Sequence, residues 1–496
     1  MVTDRVLTEL LDGLIPRPVT DVTISSLALD SRQVVPGTLF FALTGANEQG
    51  HDYIEAAIAA GAVAVLFEPM ESYQPPVTAV PCIEVEQLAH KVGVVAERFF
   101  GQPTGRMFVV GITGTNGKTS CSHFLAQALH TDEQPCAVVG TLGNGLWGRL
   151  SHTAHTTPDA VSLHGLMRRC ADERAASVVM EVSSHGLDQG RVAGVDFDVA
   201  VLTNLSRDHL DYHGDMAAYA EAKAGLFRRP GLRYAVVNGD DPFGRQLIEE
   251  VADSIELLVY RLDQSPCPSD RAVQLIDATL LASDRHGLHF HVTTPWGEGE
   301  CSSPLLGRFN VSNLLAVLGV LLVRGTPFNL ALEALSQLRP VAGRMECFGH
   351  DRQPMVVVDY AHTPDALRHA LSTLRSHCDG QLWVVFGCGG ERDAGKRPLM
   401  GEIATALADH VVLTDDNPRY EDPDQIVSDI MAGISVGEVT VIRNRAEAIA
   451  SVIRSAAAND VVLVAGKGHE AHQLIAGEML PFSDRAQVRR LLREVA

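Results

Sequence analysis

Residues 107–120 read Met107-Phe-Val-Val-Gly-Ile-Thr-Gly-Thr-Asn-Gly-Lys-Thr-Ser120. The apolar run over 107–112 predicts a buried strand. It meets a loop containing Gly111, Gly114 and Gly117, and Lys118 and Thr119 then lead into a helix predicted over 120–129. Strand, glycine-rich loop, Lys-Thr and helix is the order of a phosphate-binding loop. Glycine lets backbone N–H groups close around phosphate oxygens, and the helix N-terminus adds a favourable dipole. Lys118 is placed to reach β- and γ-phosphates, and Thr119 to bind Mg²⁺. The strict pattern asks for glycine where Ile112 stands. The competing reading is an ordinary glycine-rich strand-to-helix turn.

Around this loop the chain repeats strand followed by polar loop. Strands are predicted over 137–141, 177–182 and 198–202. Glu181 stands inside the apolar run Val178-Val-Met-Glu-Val182, and a charge buried there needs a partner. Ligands of α/β folds bind at the carboxyl ends of parallel strands, so Glu181 and His209 are expected to face the crevice of the phosphate loop. An acidic strand-end residue is a candidate Mg²⁺ ligand. Lys223 lies in an alanine-rich helix and reads, from composition, as a solvated lysine. Asn310 and Asn313 precede the apolar helix 314–323 and fit an amide pair at its start, or simple capping.

Residues 1–100 read as a small α/β unit, with strands at 38–43 and 62–67 and a helix ending near Ala60. Ser31 and His51 there are ligand candidates or ordinary cap and surface residues. Gly101-Gln-Pro-Thr-Gly105 reads as a linker. From about residue 341 strand and helix alternate regularly, with strands at 355–359, 381–386, 411–414, 439–442 and 461–465. That pattern predicts a Rossmann-like parallel sheet. No Gly-x-Gly-x-x-Gly follows its first strand, so no dinucleotide is expected. Four polar loops follow its strands: Asp359-Tyr-Ala-His-Thr363, Gly387-Cys-Gly-Gly-Glu-Arg-Asp393, Asp415-Asp-Asn-Pro-Arg419 and Gly466-Lys-Gly-His-Glu470. Arg392 and Arg419 with Asp416 and Glu470 offer both signs of charge, which suits a zwitterionic amino acid. Pro418 stiffens its loop. The fold class is therefore α/β in three domains: N-terminal 1–100, a central P-loop ATPase-like domain 101–340 and a C-terminal Rossmann-like domain 341–496.

Composition narrows the partners. The chain has 496 residues and a net charge of −21, from 40 basic and 61 acidic side chains. Nucleic acid and anionic membranes both require basic surface and are not expected partners. Nine dispersed cysteines without a Cys-x-x-Cys pair fit a reducing cytoplasm rather than a disulfide frame or zinc site. The charged, amphipathic start is unlike a signal peptide. The run 314–323 is about half a membrane span. A cytoplasmic monomer without membrane insertion is expected.

Taken together, the sequence resembles the Mur ligases along essentially its whole length. Thr113-Gly-Thr-Asn-Gly-Lys-Thr119 is that family's phosphate-loop form. Glu181-Val-Ser-Ser-His-Gly186, the 204–212 stretch, Asn310 to Asn313, Gly343-Arg-Met-Glu346 and Asp359-Tyr-Ala-His-Thr-Pro-Asp365 also match. Asp416-Asn-Pro-Arg419 resembles the branch that uses meso-2,6-diaminopimelate. The resemblance implies an ATP-dependent ligase of peptidoglycan precursor synthesis. It would join meso-diaminopimelate to UDP-N-acetylmuramoyl-L-alanyl-D-glutamate through an acyl phosphate.

It also implies residue roles. Thr119, Glu181, His209 and Lys223 would hold Mg²⁺, with Lys223 carbamylated to N6-carboxylysine and Lys118 catalytic alongside Glu181, His209 and Lys223. Gly114, Thr115, Asn116, Gly117, Lys118, Thr119, Ser120, Asn310, Arg344 and Asp359 would contact ATP. Leu29, Ser31, Thr156, Thr157, Ser183, Gln189 and Arg191 would hold the UDP-sugar dipeptide. Arg392, Asp416, Asn417, Pro418, Arg419, Gly466 and Glu470 would hold diaminopimelate. His155 stands where relatives often have Asn, and Gly45-Ala46-Asn47 lacks the His-Gln-Ala of some members. The alternatives are an L-lysine-adding relative and a catalytically silent nucleotide-binding scaffold.

Overall fold

The computed structural model describes residues 4–15, 20–45, 49–70, 73, 75–153, 155–263, 273–284, 287–350, 352–435 and 437–494. Ala46 and Asn47, in the loop that departs from the relatives, lie outside them. The chain divides into two compact units, the first residues 1–260, 265–275 and 319–324, the second residues 261–264, 276–318 and 325–496.

In the first unit, Ser26–Ala28, Thr38–Ala42, Ala62–Phe67 and Cys82–Glu84 form a small parallel sheet. A larger sheet runs in the order Gly143–Leu146, Cys136–Gly140, Ser177–Glu181, Phe108–Thr113, Val199–Leu202, Tyr234–Asn238, Glu256–Leu262. Its strands are parallel except for the first of these. Phe108–Thr113 is central, and its residues from Val109 onward are buried, as the unbroken apolar run predicts for a strand covered on both faces. The expected 101–105 linker is pinned: Thr104 donates to Asp196 at 3.4 Å. Nearby, the helix Leu88–Phe99 packs so closely on the turn around Ala193 that a Cβ on Gly93 would sit 2.1 Å from the Ala193 carbonyl oxygen. The first hundred residues are thus joined to those after them by direct packing.

The second unit holds the sheet order Glu346–Phe348, Met355–Asp359, Val461–Ala465, Leu382–Phe386, His410–Leu413, Val439–Val441, parallel apart from the antiparallel first strand. Helices Pro364–Arg375, Lys396–Leu407, Pro423–Met431 and Arg445–Ser455 alternate with its strands, matching the expected crossovers. Antiparallel strands Gln274–Asp284, Gly287–Thr294 and Gly297–Ser303 precede it. A hairpin, His472–Ile475 with Glu478–Pro481, follows the last sheet strand.

Arg445 and Asp484 form a fully buried bidentate ion pair at 2.7 Å, and the guanidinium also donates to the Ala465 carbonyl at 2.8 Å. This ties the helix Asp484–Glu494 to the end of the strand Val461–Ala465, which leads into Gly466. Asp484→Asn leaves a buried guanidinium uncompensated, so it is expected to cost about 3–5 kcal/mol. Denaturant unfolding monitored on the purified protein checks this; an unchanged midpoint would refute it.

Candidate functional site

The loop after Phe108–Thr113 turns sharply. Gly114 has φ +147° and its Cβ position is filled by Thr203 Oγ1, 1.9 Å away, so only glycine fits. The following helix runs Lys118–Leu129, two residues longer at its start than the sequence suggests. Lys118 and Thr119 therefore occupy its first turn, where free N–H groups gather. Lys118 Nζ donates to the carbonyls of Gly114 (2.7 Å) and Thr115 (2.8 Å).

Thr119 Oγ1 donates to Glu181 Oε2 at 2.8 Å, and Glu181 is fully buried. The partner that the buried carboxylate requires is thus the phosphate-loop threonine. Thr141, which the sequence did not reveal, joins them through its N–H (2.8 Å) and hydroxyl (3.1 Å). From there a hydrogen-bond chain extends through residues expected to hold the UDP-sugar dipeptide. Thr141 meets Thr156 at 3.0 Å, and Thr157 donates to the Glu181 carbonyl at 3.0 Å. Ser183 donates to Thr157 Oγ1 at 3.1 Å, and Arg191 holds the Thr157 carbonyl (2.9 Å) and the Gln189 amide oxygen (2.6 Å). Leu29 and Ser31 are not part of this network: Leu29 packs on the N-terminal core, and Ser31 opens a short turn capped by Asp30.

Lys223 is not a solvated lysine. It is 1% exposed, on the helix Met216–Ala224, with Nζ 2.9 Å from the Gly114 carbonyl oxygen that Lys118 also holds. Burial, then repulsion from Lys118, lowers the Lys223 amine well below the ordinary lysine range. Its Nζ lies over the Tyr219 ring, 4.5 Å from the ring centre. Tyr219 connects to His209 (ring centres 6.2 Å apart) and His213 (5.2 Å). His209 is exposed, in the left-handed region at φ +52°, with Nε2 3.5 Å from Asp208. His209 thus joins the Lys223 side of the loop.

Among the described residues no three His, Cys, Asp or Glu side chains converge as a ready metal site. The Thr119–Glu181 pair supplies hard oxygen donors, which suit Mg²⁺ held partly by water. The lowered amine of Lys223, held at the Gly114 end of the same loop, supplies a further oxygen ligand only once carboxylated. The donor set therefore fits Mg²⁺ on that condition.

In the second unit, Asn310 and Asn313 lie inside the helix Arg308–Val323 rather than capping it. Asn310 donates to the Leu306 carbonyl (2.7 Å) and accepts from Asn313 (2.9 Å). Arg344 stacks on Tyr360, 4.6 Å from the ring centre, and the Asp359 carboxylate accepts from Met345 N–H at 2.7 Å. Burial raises the Asp359 carboxyl, opposed by Arg344.

The polar loops of this sheet converge. A Cβ on Gly389 would lie 3.2 Å from Arg419 Nη1 and 3.8 Å from Arg392 Cγ, so both guanidinium-bearing side chains flank one glycine. Neither arginine has a carboxylate partner among the described residues. Their neighbours do: Arg397 is held by Glu421 and Asp429, and Arg443 by Asp415. Arg397 and Glu421, unflagged by sequence, bind the two loops together, since Glu421 accepts from Arg397 and from Glu391 N–H at 2.8 Å each. Opposite in charge, Asp416 and Glu470 gather with Asn417, whose amide donates to Glu470 at 2.9 Å. Gly466 has φ +112°, and a Cβ there would meet Asp416 Oδ2 at 2.5 Å. Pro418 is buried between Asn417 and Arg419.

The Mur ligase family catalytic domain matches residues 23–100, the Mur ligase middle domain 112–321, and the Mur ligase glutamate ligase domain 343–468. The chain belongs to the Mur ligase family. Among Mur ligases, it is 48% identical to the UDP-N-acetylmuramoyl-L-alanyl-D-glutamate–2,6-diaminopimelate ligase of Coxiella burnetii, over 98% of this chain and 99% of that one. It is 50% identical to the enzyme of that name from Pseudomonas aeruginosa, over 97% and 98%. A solved ligase of the same name is 39% identical, with a TM-score of 0.75 over 99% of both chains. The MurF ligase of Thermotoga maritima, solved with ADP, shares the Mur ligase fold at 19% identity, with a TM-score of 0.60 over 95% and 98%. No helix among the described residues of this Mur ligase is long and apolar enough to cross a membrane.

Proposed function

We propose that this Mur ligase joins meso-2,6-diaminopimelate to UDP-N-acetylmuramoyl-L-alanyl-D-glutamate at the expense of ATP, forming ADP and phosphate. One observation carries the choice of amino acid: Arg392 and Arg419 flank one glycine, neither with a carboxylate partner among the described residues, and Tyr360 feels Arg392, Asp416 and Glu470 alike. A second carboxylate on the incoming amino acid satisfies that arrangement, and lysine lacks it. The residues divide into a UDP-sugar-binding domain (1–100), a ligase domain (101–340) and an amino-acid-binding domain (341–496).

In the mechanism, the D-glutamate γ-carboxylate oxygen attacks the γ-phosphorus of ATP and ADP leaves. The approach of two anions is opposed by charge, and Lys118 at the loop offsets it. Thr119, Glu181, His209 and carboxylated Lys223 would hold Mg²⁺, which would supply neutralisation of phosphate charge. The network from Thr141 to Arg191 orients the dipeptide. The diaminopimelate amine then attacks the acyl carbon, loses a proton and expels phosphate. Asp416 and Glu470 hold the ammonium of the other end, and Arg392 and Arg419 its carboxylate.

The test is phosphate release from ATP with dipeptide precursor carrying ¹⁸O in its γ-carboxylate. Release is expected to depend on diaminopimelate, to be weak with L-lysine, and to place one ¹⁸O in the phosphate. Equal rates with lysine would overturn the amino-acid assignment, and unlabelled phosphate the acyl phosphate. Turnover indifferent to both substrates would identify a nucleotide-hydrolysing scaffold.

A further inference from the structure

The loop Gly466-Lys-Gly-His-Glu470 contains a side chain that the mechanism above does not use. Lys467 is fully buried, yet it follows directly on the glycine that abuts Asp416. Its ammonium donates to Asn417 Oδ1 at 2.9 Å and Glu470 Oε2 at 2.8 Å, and lies 3.7 Å from Asp416 Oδ1. Two of its protons are taken by hydrogen bonds, and Asp416 stands at ion-pair distance from the ammonium, so the lysine is committed to this cluster.

We infer that Lys467 is the positioning residue of the amino-acid site, holding Glu470 and Asn417 in the one arrangement that receives a single substrate ammonium. The inference rests on the reading of these loops as the amino-acid site. Geometry fixes the amide first. Asn417 Oδ1 accepts from Lys467 and from Leu474 N–H at 3.0 Å, which turns Nδ2 toward Glu470 Oε2. Both bonds to the Glu470 carboxylate fall on Oε2, leaving Oε1 with no partner among the described residues. Charge agrees with this. Asp416 and Glu470 contribute two negative charges and Lys467 one positive; Arg445, behind them, is taken by Asp484. The set is left with one negative charge, which one ammonium neutralises. Burial opposes ionisation of Glu470, and Lys467 with Asn417 overcomes it, holding the carboxyl below its ordinary range. Burial pushes the Asp416 carboxyl up against the pull of Arg445 and Lys467.

The experiment compares wild type, Lys467→Met, Glu470→Gln and the double variant in the phosphate-release assay. Lys467→Met is expected to raise the diaminopimelate KM roughly 10–100-fold, the loss of charge-assisted hydrogen bonds, with KM for ATP and dipeptide unchanged. In the double variant the effects do not multiply, because both substitutions break one contact. Between pH 6 and 8 the Lys467→Met KM is expected to fall as pH rises, while the wild-type value changes less, since two neighbouring carboxylates, one of them buried, retain a proton once the cation between them is gone. His472, Tyr360 and Arg445 face Glu470 in both proteins, so the difference isolates Lys467. An unchanged diaminopimelate KM, or equal loss for all three substrates, would overturn the inference. If Lys467→Met fails to fold, the double variant, which leaves neither charge of the contact behind, decides: a diaminopimelate KM more than tenfold above that of Glu470→Gln would also overturn it. Wild-type turnover independent of diaminopimelate would instead sink the underlying reading.

Discussion

Replacing Lys223 by alanine is expected to lower kcat by about 10²–10³, the usual cost of removing one electrostatic stabiliser of a transition state. Partial recovery is expected with millimolar acetate or formate. Three features of the structure lead there. The amine is buried, so it cannot be a solubilising charge. It shares the Gly114 carbonyl oxygen with Lys118, and two cations on one acceptor repel. Burial and that repulsion both favour the neutral amine, whose lone pair can take up CO₂. Carboxylation replaces a cation by an anion beside Lys118, converting repulsion into attraction. Alanine suits the helix Met216–Ala224, so loss of fold is not the anticipated outcome. Full activity of Lys223→Ala without added carboxylate would refute the role. So would a wild-type enzyme whose rate is indifferent to removal of CO₂ and bicarbonate over a long incubation.

Lys223 also shows where sequence reading stops. An Ala-Glu-Ala-Lys-Ala helix looks solvated, and its burial is decided by the distant loop at Gly114; only family resemblance singled the lysine out. Glu181 was legible because a charge inside an apolar strand has few explanations. The parallel sheets were legible for the same reason, since strands covered on both faces read as continuous apolar runs. The strands Gln274–Asp284, Gly287–Thr294 and Gly297–Ser303 were not, because they are only partly buried and carry no long apolar run to mark them. Thr141 and Lys467 carry no local signal at all: one is a threonine after a strand, the other a lysine among glycines, and each acquires its role from partners 40 and 50 residues away. Composition alone suggests a linker at 101–105, and the close fit of Gly93 on the distant Ala193 is invisible there.

Arg419→Ala is expected to raise the diaminopimelate KM by about 10²-fold, with much smaller changes in kcat and in the KM for ATP, because a carboxylate is left without its bidentate partner. The backbone of Arg419 supports a functional reading. It sits at φ +56°, a region that costs a non-glycine residue about 1 kcal/mol or more. The surroundings impose it: Arg419 N–H donates to Leu474, and Ala476 N–H donates to the Arg419 carbonyl, locking the residue to the hairpin His472–Ile475. Its side chain then reaches Gly390 O at 2.6 Å beside Arg392. A glycine would adopt this backbone with less strain, so Arg419→Gly separates the two effects. It is expected to match wild-type stability within about 1 kcal/mol, relief of strain being offset by greater freedom of the unfolded chain. Its diaminopimelate KM should nonetheless equal that of Arg419→Ala. Arg419→Lys retains the charge but not the planar fork and should recover only part of the loss. Preference for diaminopimelate over L-lysine should shrink in all three variants, since lysine never engaged the guanidinium. A KM unaltered in Arg419→Ala, or a preference over lysine retained at its wild-type value, would mean that another group recognises the distal carboxylate.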